Sequence, residues 1–121
     1  MAKSSPLVDY LLDMLDELGG VRSRAMFGGF GIYRDDLMVG LIANEVFYLK
    51  VDDENRSDFE KAGSSPFLSH RAGRNEPIKM SYWEVPADVL ENGRQLREWT
   101  ERANEAARRN KQRTGRRKKK K

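Results

Sequence analysis

The side chains with the widest chemical repertoire are scarce in this sequence. Histidine occurs once, at His70, and cysteine not at all, which excludes a thiolate nucleophile, a disulfide framework and zinc cages built from cysteines or several histidines. His70 stands beside Arg71, and the sequence places no nucleophile or orienting carboxylate next to it for general-base work. The acidic run Asp52, Asp53 and Glu54 has the residue types of a metal or proton-sharing site. Just ahead of a short helix, however, such carboxylates complement the helix dipole and cap free N–H groups, and Asp53 is expected to act as the cap. The stretch Met26-Phe27-Gly28-Gly29-Phe30-Gly31-Ile32-Tyr33 offers three glycines without the G-x-G-x-x-G spacing or a following Lys-Ser/Thr pair. Its aromatic residues alternate as in a strand, so the glycines are expected to permit a bulge, a sharp bend or a close approach of the first helix. These stretches yield no catalytic, cofactor-binding or metal-ligating residue.

Binding chemistry is better represented. Residues 108 to 121 hold ten cations and no acid: Arg108, Arg109, Lys111, Arg113, Arg116, Arg117, Lys118, Lys119, Lys120 and Lys121. The rest of the chain has 13 basic against 19 acidic residues, so an overall charge of +4 conceals a body of −6 and an arm of +10. With no apolar anchor the arm stays solvated and seeks polyanions, DNA or RNA, in a nonspecific and salt-sensitive way. Arg22 and Arg24 form a second candidate surface, as an anion clamp or as exposed partners of nearby acids. Tyr82, Trp83 and Trp99 have rings able to stack on bases, although Trp99 falls in register with Leu96 on the apolar side of a helix. Trp83 alternates with Met80 and Tyr82. If the helices cover the Met80 and Tyr82 side, Trp83 is exposed and marks a dimer or partner surface.

The elements that must position these residues follow from periodicity. Ser5 as N-cap, Pro6 at the first helical position and Gly19-Gly20 as a stop bracket an amphipathic helix with Leu7, Val8, Leu11, Leu12, Leu15 and Leu18 on one stripe. From Arg24 the period falls to two, giving strands over 24–34, 37–43 and 46–51, broken by the polar pairs Asp35-Asp36 and Asn44-Glu45. A short helix then runs to about Ala62. A second hairpin joins 66–70 to 76–84, a helical turn occupies 87–90, and a last helix starts at Arg94 with Leu96, Trp99, Ala103 and Ala106 on its apolar side. The expected fold is α+β, a two-layer sandwich of a five-stranded antiparallel sheet with helices mainly on one face, in the order α-β3-α-β2-α. One domain spans residues 1–109 and a basic, disordered tail spans 110–121. The apolar runs fall far short of the roughly 20 residues of a membrane helix, so a cytoplasmic chain without membrane contact is expected.

Four motifs together resemble the TfoX (Sxy) N-terminal domain family. They are Arg24-Ala25-Met26-Phe27-Gly28-Gly29-Phe30-Gly31-Ile32-Tyr33, then Tyr48-Leu49-Lys50-Val51-Asp52, then Pro66-Phe67, then Met80-Ser81-Tyr82-Trp83-Glu84-Val85-Pro86. The likeness covers about residues 7 to 107. It implies a two-layer fold of the secretion-chaperone-like kind and kinship with bacterial regulators of natural competence, which act in the transcription of DNA-uptake genes beside a cyclic-AMP-receptor-type activator. Full-length regulators carry a second, C-terminal helical domain where this sequence has its basic run. The resemblance brings no catalytic or ligand residue with it. The resulting expectation is a non-enzymatic regulatory or interaction domain without a cofactor, with a protein partner for its body and nucleic acid for its tail. The alternatives are a dimeric, chaperone-like protein-binding module in which nucleic acid plays no part, and a small ligand-binder or enzyme using the Phe27 to Gly31 bend with Arg22 or Arg24.

Overall fold

A computed structural model describes residues 5–26, 28–69 and 78–119, with the side chains of all of these except 78, 79 and 114–119. Ser5 starts the first helix as its residue type requires: its Oγ accepts the N–H of Val8 at 3.0 Å, satisfying a donor that has no partner inside the helix, and Pro6 takes the first position. Helix α1 (Pro6–Met14) is shorter than its apolar stripe. The chain tightens into a 3-10 turn at Asp16–Leu18, and Gly19 and Gly20, both at positive φ, lead it into the sheet.

Four strands follow as a meander, β1 (Val21–Met26), β2 (Gly29–Arg34), β3 (Leu37–Ala43) and β4 (Val46–Lys50). The added strand arises in the glycine-rich stretch. Gly28 has φ 78° with open space where a Cβ would stand, the chain reverses there, and Met26 pairs with Gly29. What reads as one bent strand over 24–34 is thus a hairpin, and the close neighbours of its glycines are strand residues, the β3 backbone for Gly29 and the Tyr33 and Met26 side chains for Gly31, rather than helix α1. Alternation alone does not reveal the reversal, because a period of two looks the same on both sides of a tight turn. The other two breaks are turns as read, with Asp35, Asn44 and Glu45 in left-handed backbone.

Beyond β4 the chain is tied by Asn55, whose Oδ1 accepts the N–H of Asp52 at 2.8 Å while its Nδ2 donates to the carbonyl of Lys50 at 3.0 Å. Helix α2 (Arg56–Lys61) follows with no side-chain cap. The capping role expected of Asp53 is therefore corrected: Asp53 pairs with Arg56, and the turn is held by Asn55. Strands β5 (Pro66–Ser69) and β6 (Ile78–Glu84) are antiparallel partners, and β6 lies between β4 and β5, giving the order β1-β2-β3-β4-β6-β5. The antiparallel sheet of this α+β fold has six strands, not five. His70, the sequence candidate for a base, lies outside the described residues.

Helices α3 (Ala87–Leu90) and α4 (Gly93–Lys119) complete the chain. The apolar period of α4 fades after Ala107, yet the helix continues to Lys119. Arg, Lys and Gln are good helix formers, the packed half supplies the costly nucleus, and cations suit the negative end of the helix dipole. Residues 110–119, expected as a tail without structure, thus lie on α4.

All four helices bury their apolar sides against one face of the sheet. Val8 and Leu11 of α1, Phe59 of α2, Val89 of α3 and Leu96 and Ala103 of α4 share a core with Ile32, Val39, Ile42, Phe47 and Leu49 of the strands. Each fully buried Leu, Ile, Val or Phe in such a core contributes about 1.5–3 kcal/mol. Trp83 sits opposite Leu49 on this covered face, and Phe59 is edge-on to both Trp83 and Trp99, with ring centroids 6.4 and 4.7 Å apart. The condition that would expose Trp83 is not met: the helices cover its side of β6 and leave Met80 exposed.

Candidate nucleic-acid interface

The far half of α4 is a cationic surface set on a buried root. Leu96, Ala103 and Ala106 are fully buried and Ala107 nearly so. From there Arg108, Lys111 and Arg113 are exposed, and Arg116, Arg117, Lys118 and Lys119 continue along the helix backbone. The sequence has no acid after Glu105. Lys120 and Lys121 lie outside the described residues. A helix of this composition presents like charges at a short, regular rise, which favours binding along a chain of phosphates over burial in a protein.

Arg109 differs from its neighbours. Its Nε and Nη2 donate to Asp52 Oδ2 and Oδ1 at 2.7 and 3.0 Å, and Glu54 lies 3.5 Å away. The bidentate guanidinium holds the Asp52 carboxyl below the usual carboxylate range, and the carboxylate in turn raises Arg109. Arg109 therefore anchors α4 to the end of β4. Beside this joint, burial pushes the Lys50 ammonium down, Asp52 partly restores it and the charge of Arg113 lowers it further. Lys50 Nζ donates to Ser81 Oγ at 2.6 Å and lies 5.1 Å from the ring centroid of Tyr82. Burial and Tyr33 raise the Tyr82 phenol to about 12.

The second candidate surface is on β1. Arg22 and Arg24 are both exposed and point to the face that the helices leave free, opposite Tyr33 and Gly31. Arg22 lies over the Tyr33 ring at 5.2 Å and donates to the Asp35 carbonyl at 3.2 Å. The pair does not converge on one point as a clamp would. It lines an edge. Trp83, the third member of the sequence-based surface, is on the opposite side of the sheet. The structure thus separates Trp83 from the arginines and brings Tyr33, Tyr48, Lys50 and Phe67 to the arginine side of the fold. The signal for these residues was parity: Arg22, Arg24 and Met26, or Tyr48 and Lys50, are two apart and share a face.

Among the described residues no group of acids or histidines is placed to hold a metal ion, and no helix is long and apolar enough to cross a membrane. Compared with known proteins, the chain matches the model of the TfoX N-terminal domain over residues 13–107, from the end of α1 to the last packed turn of α4. No curated protein matches it.

Proposed function

For a chain that belongs to the TfoX N-terminal domain family, we propose the work of a non-enzymatic regulatory and interaction domain in the cytoplasm. Its folded body engages a protein partner, and the cationic end of α4 draws the complex to DNA or RNA. Transcriptional regulation of competence or of a related process is the setting that the family supports. The observation that carries the reading is the form of α4, whose first half is buried in the core while its second half runs on as an acid-free row of Lys and Arg. Fixing cations on a helix rather than on a loose chain reduces the ordering cost of binding.

Attraction of this kind is dominated by counterion release. With about 6 to 10 phosphate contacts, affinity falls roughly 10³- to 10⁵-fold between about 50 and 200 mM salt. Deletion of residues 110–121 should abolish retention on nucleic acid at low salt, measured on an immobilised duplex. Retention equal to that of the full chain overturns the role of α4. Pull-down with and without nuclease then separates proteins held by the body from those carried by nucleic acid.

A further inference from the structure

The face of the sheet turned from the helices carries a second set of features that the basic end of α4 does not explain. Register places Arg22 beside Tyr33 and Met38 in one cross-strand row, and Arg24 beside Gly31, Leu41 and Tyr48 in the next. Tyr48 meets Phe67 of β5 edge-on, with centroids 5.0 Å apart. Met26 of β1 and Phe67 of β5 line one hollow of about 560 Å³ together with Met38 and Leu41 of β3.

The charge here runs against that of the body. Outside residues 108–121 the chain is −6, yet the described strands hold Arg22, Arg24, Arg34, Lys50 and Lys79 against a lone carboxylate, Glu84. Arg34 belongs to the helix side, where it donates to the Leu18 carbonyl. Arg22 and Arg24 are left as exposed cations on β1, the strand that ends in Met26 of the hollow. At the end of β4, Lys50 and Arg113 line one small hollow together with Asp52 and Asp53, so the end of this strand lies beside the cationic helix. A ligand for such a surface needs a string of negative charges and flat apolar groups between them. Unpaired polynucleotide has both: its bases stack on aromatic rings while its phosphates follow the cations. A duplex hides its base faces inside the stack and has only phosphates to offer a ring-lined hollow.

The geometry points to a binding site for a single polynucleotide strand on the face of the sheet turned from the helices, with Tyr48 and Phe67 as the stacking platform and Arg22 and Arg24 as phosphate contacts. The proposal rests on the nucleic-acid reading above and adds the state of the polymer and the place of its bases.

The test is fluorescence anisotropy of the full chain with labelled oligo(dT), oligo(rU) and a DNA duplex of equal length, over a salt series. Two variants carry it, Arg22→Gln/Arg24→Gln, which alters exposed side chains only, and Phe67→Leu, which removes the ring and keeps an apolar group. The arginine variant should bind single strands about tenfold more weakly, with a salt slope smaller by about 1.4, the value for two contacts. Phe67→Leu should lose about fivefold or more on single strands. Duplex binding should stay unchanged in both. Equal loss on oligo(dT) and oligo(rU) supports readout by stacking and phosphate, and loss on one alone supports the same site with a choice of sugar. Single-strand binding equal to the unaltered chain in both variants overturns the proposal and leaves the role of α4 standing. Absence of duplex binding by the unaltered chain, with single-strand binding that depends on the sheet, overturns the role of α4 and supports the proposal. Variants that convert a dimer to a monomer by sedimentation without changing strand affinity assign the face to a second copy and overturn it.

Discussion

The two faces of the sheet are made of the same six strands and end in opposite conditions. On the helix side Ile32, Val39, Phe47 and Leu49 are at most 2% exposed, and Phe59 bridges two tryptophans. On the other side Met38, Leu41, Tyr48 and Phe67 are only half-buried, and the charged residues Arg22, Arg24 and Glu84 stand among them. The difference separates a core from an uncovered surface. Four helices close one face into a packed core, while the face they leave uncovered keeps half-buried apolar rings beside exposed cations.

The sharpest way to break this contrast is to remove one ring from each face. Phe59→Ala should cost about 3–5 kcal/mol in urea unfolding, because it opens a cavity that Trp83 and Trp99 cannot both fill. Phe67→Ala should cost about 1–2 kcal/mol, from partial burial and one edge-on contact. Equal losses would show that the uncovered face is as much a part of the core as the covered one.

A smaller effect is expected from adding one methyl group to each face. At Gly40, on the helix side, a Cβ would stand 2.6 Å from the Tyr48 carbonyl oxygen and 2.8 Å from the Phe47 ring. Neither can move without disturbing the ladder or the core, so Gly40→Ala should cost about 1–3 kcal/mol. At Gly31, on the open side, the nearest atoms are side-chain atoms of Tyr33 and Met26, at 2.9 and 3.0 Å. These have room to give way toward solvent, and alanine is the better strand residue, so Gly31→Ala should change stability by less than about 1 kcal/mol. Thermal melts of the two variants side by side measure the difference.

The smallest effect concerns the joint between the buried and the cationic halves of α4. The folded-state pKa of Asp52 is lowered, chiefly by the Arg109 hydrogen bonds. Its contribution is therefore present above the unfolded value of about 3.9 and is lost as pH falls through the folded value. Asp52→Asn should cost about 1 kcal/mol near neutrality and close the gap to the unaltered chain below about pH 4. A gap that persists into acid would mean that Asp52 acts through its backbone turn rather than its charge.

Much of the fold was legible because its signals are local. Ser5 and Pro6 start α1 through a bond three residues long, and Asn44-Glu45 turns the chain in left-handed backbone that Asn44 adopts readily. The start of the next helix is less legible. Asp53 has the residue type of a cap but lies two residues before the helix-flanking Asn55, which can both donate and accept, and so ties Lys50 and Asp52 together as a carboxylate cannot. Lys50, Tyr48 and Phe67 were absent from the expected site because β5, β6 and β4 come together only through pairing across the sheet.

The order of residues by itself determined the class of the fold, the antiparallel meander, the family, and the split between an acidic body and a basic end, since each depends on composition or on spacing within a few residues. Tertiary structure alone decided which side of the sheet is covered, that Trp83 packs inward, and that Arg109 anchors α4 while its neighbours stay exposed. Alternation assigns strand residues to two sides without saying which side is wet. Only the docking of α1 and α4 makes that choice, and it places Arg22, Arg24, Tyr48 and Phe67 together facing solvent.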